Sequence, residues 1–115
     1  MNGLMMDRPL LISSLLTHAE SQHGGQEIVS RRVEGDMHRT TYRELGQRAR
    51  RLANALVTQG IRPGDRVATL AWNGYRHMEL YYAVSGSGAV IHTMNPRLHP
   101  DQVTWMVDHA QDQVV

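Results

Sequence analysis

Leu45, Ala49, Leu52, Ala53 and Leu56 fall at i, i+4, i+7, i+8 and i+11, the spacing that lines one face of an α-helix. This helix has a start and a stop. Thr41 can accept from a first-turn amide while Glu44, three residues on, reaches back to the Thr41 amide, which makes a capping box. Gly60 stands where a left-handed residue ends a helix. Pro63-Gly64-Asp65 then makes a turn, and residues 67–71 form an apolar run bounded by turn residues, which predicts a strand covered on both faces. Asn73-Gly74 breaks the chain before a predicted helix over 75–85, and residues 89–93 predict a second buried strand. Asn95-Pro96 is a turn, Pro100 suits the first turn of a helix running to about residue 110, and residues 113–115 begin a further strand.

Upstream, Leu11, Leu15, Leu16 and Ala19 predict a helix over 11–22 that packs its Leu face and ends at Gly24-Gly25. Residues 28–33 and 38–41 read as two short strands joined through Glu34-Gly35-Asp36, where Gly35 is free to take a positive φ. The predicted fold class is therefore α/β: βαβ units of a parallel sheet, preceded by a helix and a short β-hairpin. Residues 1–41 hold the helix and hairpin, and 42–115 hold the βαβ portion. The sequence stops at a strongly β-prone point, so the expectation is a truncated N-terminal part of a larger domain.

Composition narrows the chemistry. The chain has 115 residues, 41% of them hydrophobic and 20% charged, ordinary for a globular domain. A formal charge of +1 gives no global field for nucleic acid or an anionic membrane. Cys is absent, which removes disulfides and thiolate chemistry. All 12 basic residues are Arg, so no lysine is present to form a Schiff base or clamp a phosphate. The apolar stretch at 10–16 is too short to span a bilayer and, with Asp7 and Arg8 before it, does not read as a signal peptide. A cytoplasmic protein without a transmembrane segment is expected.

The candidate motifs are weak. Gly86-Ser87-Gly88 follows a predicted helix and precedes a strand, the reverse of a phosphate loop, so it reads as a helix stop with close packing. Trp72-Asn73-Gly74 has the right order, strand before helix; Asn73 reads as the cap of the following helix, and ligand contact there is the lesser reading. The seven His, at 18, 23, 38, 77, 92, 99 and 109, give no i,i+4 pair and no Cys supports them, so no metal site is assigned. His92, inside an apolar strand, reads as a hydrogen-bonded core residue. Arg43, Arg50 and Arg51 fall opposite the Leu stripe, a solvated face open to salt bridges with neighbouring elements. Ser13, Ser14, Ser85 and Ser87 lack a Gly-x-Ser-x-Gly elbow and are not assigned as nucleophiles.

The ordered set Thr41-Tyr42-Arg43-Glu44-Leu45, Ala53, Leu56, Gly60 and Pro63-Gly64-Asp65-Arg66-Val67-Ala68 resembles the N-terminal region of AMP-forming acyl-CoA ligases, members of the adenylate-forming superfamily. The likeness continues through Asn73, Tyr81-Tyr82-Ala83, Gly88-Ala89-Val90 and Asn95-Pro96-Arg97-Leu98. With Trp105 and Asp108-His109-Ala110 it looks most like the medium- and long-chain fatty-acid branch. The resemblance implies a parent enzyme that uses ATP, Mg²⁺ and CoA: a carboxylate attacks the α-phosphate, and the acyl-adenylate is captured by the CoA thiol. It also implies that the phosphate loop, the ribose-binding acid and the catalytic lysine lie downstream. No catalytic, cofactor-binding or metal residue is therefore assigned in this chain, and the piece is expected to be inactive and to bind no cofactor itself. Its partners would be the remainder of the ligase and, through the first helix and hairpin, a second copy in a homodimer. The alternatives are a stand-alone dimerisation or interaction module of the same fold, and a small nucleotide-binding α/β domain, against which the misplaced glycines argue.

Overall fold

The computed structural model describes residues 3–115. Its elements are α1 (Ile12–His23), β1 (Glu27–Arg31), β2 (Met37–Thr41), α2 (Tyr42–Thr58), β3 (Arg66–Leu70), α3 (Tyr75–Gly86), β4 (Val90–Met94) and α4 (Pro100–Ala110). β1 and β2 form an antiparallel hairpin with Val29 opposite Arg39, and Gly35 at its turn has a φ of 96°. β3 and β4 are parallel, with Val67 beside Ile91 and Ala68 beside His92.

α2 forms where the spacing places it. The Thr41 hydroxyl accepts from the Glu44 amide, and the Glu44 carboxylate accepts from the Thr41 amide at 2.9 Å. At the other end Ile61 N–H donates to Leu56 O and Gly60 N–H to Val57 O, with Gly60 at a φ of 95°. Those two bonds make a Schellman motif, and Ile61 and Leu56 meet in the core beneath it. The end of α3 repeats it: Ala89 N–H donates to Val84 O and Gly88 N–H to Ser85 O, with Gly88 at a φ of 83°. Gly86-Ser87-Gly88 is thus a helix stop, as its order in the sequence implies. Gly88 also packs against Pro63, and Gly64 N–H donates to Gly88 O, so this stop docks on the turn that feeds β3.

Two apolar clusters carry the fold. One gathers Leu56, Ile61, Val67, Val84 and Ala89; the other gathers Leu16, Leu45, Ala49 and Ala83. Leu52 packs against both. Ion pairs on the flanks set how the helices approach. Arg48 donates twice to the nearly buried Glu79 of α3, at 2.6 and 3.1 Å, and Arg50 donates twice to Glu20 of α1, at 2.7 and 2.6 Å. The Glu20 carboxylate lies where a Cβ on Gly46 would stand, so α2 presents glycine there.

Four expectations need correction. β4 is half-exposed rather than buried: Ile91 turns to the helices with Val67, while Val90 and His92 alternate to the opposite face, and Val90 is 50% exposed. His92 is accordingly hydrogen-bonded but only partly buried, its Nδ1 lying 2.8 Å from Asp112 Oδ2. α1 buries Leu16 alone and leaves Leu11, Ile12 and Leu15 outside. Residues 113–115 contribute a single parallel bridge, Val114 to Val67, instead of a full strand.

Leu45 is 1% exposed, and Leu45→Ala is expected to cost about 2–5 kcal/mol in urea unfolding. Leu52→Asp, which places an unpaired charge between both clusters, should abolish cooperative unfolding altogether; a native-like melting curve for it would contradict this packing. Hydrogen bonds from Arg50 hold the Glu20 carboxyl below its ordinary value of 4.5. A carboxylate lowered in the folded state adds stability above its unfolded pKa and loses it as the pH falls through the folded value. Glu20→Gln should therefore cost up to about 1 kcal/mol near neutrality. That difference should disappear on acidification well below 4.5, as read from paired urea titrations.

Candidate functional site

In an open parallel sheet, ligands gather outside the carboxyl ends of the strands. β3 and β4 both end at Ala71-Trp72-Asn73 and Asn95-Pro96-Arg97, and between these loops lies a cleft of about 490 Å³ floored by His77 and Tyr81 of α3. The loops are ordered by local chemistry. Asn95 Oδ1 accepts from the Arg97 amide at 3.0 Å, which turns the chain after β4, and the Arg97 guanidinium rests 5.1 Å from the centre of the Trp72 ring. Such a cation–aromatic contact contributes about 0.5–1 kcal/mol at an exposed site.

Asn73 does not cap α3. Gly74 occupies the N-cap position in an extended conformation, and no side chain bonds to the first turn. Asn73 is therefore one residue too far back to reach the amides its sequence position suggested. It lines the clefts instead. α4 by contrast opens with a capping box that the sequence reading missed: His99 Nδ1 accepts from the Asp101 amide, and Gln102 Oε1 accepts from the His99 amide at 3.1 Å.

His77 is the side chain that sequence reasoning passed over. It sits at the third position of α3, is 5% exposed, and its Nε2 lies 2.9 Å from the hydroxyl of Thr69 on β3. Its i+7 spacing to the fully buried Val84 is the signal that places it on the buried face. A second cleft, of about 420 Å³, runs on the hairpin side of the same residue, past Ser30, Arg31, Gly74 and Met78. The hairpin is fastened to α3 there by Arg76 donating to Glu34 at 3.0 Å and by His38 stacked on Tyr75. The Arg76 bond holds the Glu34 carboxyl below its ordinary range.

Arg31 lines the cleft on the hairpin side, Arg97 and Trp72 line the one between the strand ends, and His77 and Tyr81 border both. Gly86-Ser87-Gly88 lies away from these clefts, at the far end of α3. Among the described residues no group of three or more His, Asp or Glu is placed to share a metal ion, and no helix is long and apolar enough to cross a membrane.

The AMP-binding enzyme family matches residues 16–115. The 3-methylmercaptopropionyl-CoA ligase of Ruegeria lacuscaerulensis is 52% identical over 115 residues, 100% of this chain and 21% of that protein. The medium-chain-fatty-acid–CoA ligase of Ectopseudomonas oleovorans is 50% identical over the same span, again 21% of its length. Among solved structures, the N-terminal domain of FACL13 from Mycobacterium tuberculosis superposes with a TM-score of 0.77 at 28% identity, covering 91% of this chain and 26% of that one. The chain belongs to the AMP-binding enzyme family and spans about a fifth of the length of the CoA ligases it matches.

Proposed function

We propose that this chain is the N-terminal scaffold segment of a fatty-acyl-CoA ligase, which activates a carboxylate with ATP to an acyl-adenylate and passes the acyl group to CoA. The observation that carries the reading is the likeness to CoA ligases at half identity or better over all 115 residues. In this reading residues 1–115 are the first part of the AMP-binding domain, with 1–41 as helix and hairpin and 42–115 as the βαβ portion. None of its residues is catalytic or binds ATP, Mg²⁺ or CoA in the reaction. The absence of lysine supports this, because the phosphate-binding and adenylating lysines of the reaction must then come from elsewhere in the protein. The chain contributes the sheet, the α2 core and the loops at the strand ends, against which the rest of the ligase packs. A cytoplasmic location belongs to the same proposal.

The alternative reading, a self-contained association module, draws on one observation. Leu4, Met5, Met6, Leu10, Leu11, Ile12 and Leu15 are all exposed along the N-terminal segment and α1. An apolar patch of that kind calls for a partner surface, and a second copy through α1 and the hairpin is the proposed occupant in either reading.

ATP-dependent acyl-CoA formation separates the two. A ligase-length chain containing this sequence should form acyl-CoA from medium-chain acids, and the 115-residue chain should form none. Turnover by the short chain, or inertness of the long one across medium- and long-chain acids, would overturn the scaffold reading. Sedimentation of the 13.0 kDa chain should show dimers or larger species that Leu15→Glu reduces to monomer. A monomer across a wide concentration range would contradict the association.

A further inference from the structure

We infer that the outer face of α4 docks a cationic amphipathic helix supplied by the part of the ligase beyond residue 115. Trp105 is the apolar anchor of this face, and Asp101 and Asp108 are its charge match. The inference rests on the ligase reading above and gives one surface of that segment an occupant of stated chemistry.

Val103, Val107 and Ala110 of α4 are half-buried, while Trp105, on the opposite side of the helix, is 62% exposed. The indole is nevertheless held in place. His109, one turn on, stacks on it with ring centres 4.6 Å apart and planes 9° from parallel. A cleft of about 370 Å³ lies beside it, lined by Leu98, Asp101, Gln102, Trp105 and Met106. An exposed tryptophan already fixed in orientation, with Leu and Met at its side, has the form of an interface anchor.

The carboxylates show what kind of partner fits. Glu20, Glu27, Glu34, Asp36 and Glu79 each hold an arginine, whereas Asp101 and Asp108 hold none among the described residues. Asp101 lies 3.4 Å from His99 Nδ1, but that nitrogen is occupied in accepting from the Asp101 amide. Asp108 stands in the last turn of α4, at the negative end of the helix dipole, where a carboxylate is unfavourable. The Arg66 guanidinium reaches this end of the helix, yet it bonds to the carbonyls of Ala110 and Gln111. A local rule broken without compensation inside the chain is offset by a cation from outside it.

Asp101 and Asp108 are seven residues apart, so they share one flank of Trp105 and stand about 10 Å from each other along the axis. Lys or Arg at i and i+7 of a facing helix span the same distance, and an apolar side chain between them lands on the indole. Two features assign that helix to the ligase itself. The chain spans about a fifth of the length of the CoA ligases it matches, so most of such a protein is available as cover. Val114, just past α4, pairs with Val67 of β3, so a chain continuing from there starts beside α4. A tethered segment meets this face at an effective concentration on the order of millimolar, which a second copy does not reach in dilute solution.

The test compares the 115-residue chain with a ligase-length chain carrying it, by carbodiimide coupling of Asp101 and Asp108 and hydroxyl-radical oxidation of Trp105, read by mass spectrometry. All three should react about tenfold more slowly in the longer chain. Asp101→Lys combined with Asp108→Lys should return Trp105 oxidation in the longer chain to the rate of the short one. Asp101→Asn with Asp108→Asn, which keeps the side-chain volumes, should raise it part of the way. Equal rates in the two chains, protection that the charge changes leave untouched, or protection that appears in the short chain as its concentration rises would overturn the proposal. Acyl-CoA formation is scored on the same longer chain. An active enzyme with Trp105 open refutes the docking alone, and an inert one with Trp105 covered refutes the ligase reading alone.

Discussion

Leu45, Ala49, Leu52 and Leu56 run down one side of α2, and both apolar clusters of the chain are built on them. The upper part of the stripe joins α1 and Ala83 of α3, and the lower part joins Ile61, β3 and the far end of α3. Because Leu52 belongs to both, neither cluster closes until α2 is in place. The helix is suited to that role by its ends, where a capping box and a Schellman motif fix its length and leave its stripe in one phase. The ion pairs Arg48–Glu79 and Arg50–Glu20 then act as guides: each is partly exposed and weak as a source of stability, yet each is bidentate and so fixes orientation.

Features determined within a few residues were legible in the sequence. Thr41 with Glu44, Gly60, Pro63-Gly64-Asp65 and Gly35 each settle their own backbone, and the structure places every one of them in its expected role. What was not legible depends on residues far apart along the chain. Whether an apolar strand is covered depends on where helices land; β4 reads like β3 in the sequence, yet β3 buries Val67, Ala68 and Thr69 where β4 buries Met94 alone. α1 shows the same limit, since its Leu face is a property of the helix and its burial a property of what lies opposite. Arg50 could be placed opposite the stripe of α2 from spacing alone, while its partner Glu20 stands 30 positions away.

The site was the least legible part. Asn73 has a side chain suited to capping, but the extended Gly74 after it takes the cap position and leaves the first turn of α3 open. His77 looked like one histidine among seven, because the residue that engages it, Thr69, lies on another element. The meeting of two loops with α3 at the strand ends is a consequence of parallel topology, and topology is what local patterns do not carry.

The distribution of exposed apolar surface follows from the same construction. α2 and α3 spend their apolar residues on each other and on the small sheet, leaving nothing to cover the outer face of α1, Val90 of β4, or α4, which has no buried residue and holds Trp105 outside. α4 is held instead by polar ties: the Arg66 guanidinium bonds to the carbonyls of Ala110 and Gln111, and His92 bonds to the buried Asp112 just beyond. Polar ties of this kind position an element without supplying the burial that dominates stability. The molecule is therefore a well-determined centre with under-covered margins: α1 docks on α2 and α3, β4 pairs with β3, and α4 is tied to Arg66 of β3. A surface arranged in that way is preorganised: whatever packs against α1, β4 or α4 meets elements already ordered, and the entropy cost of association is correspondingly small.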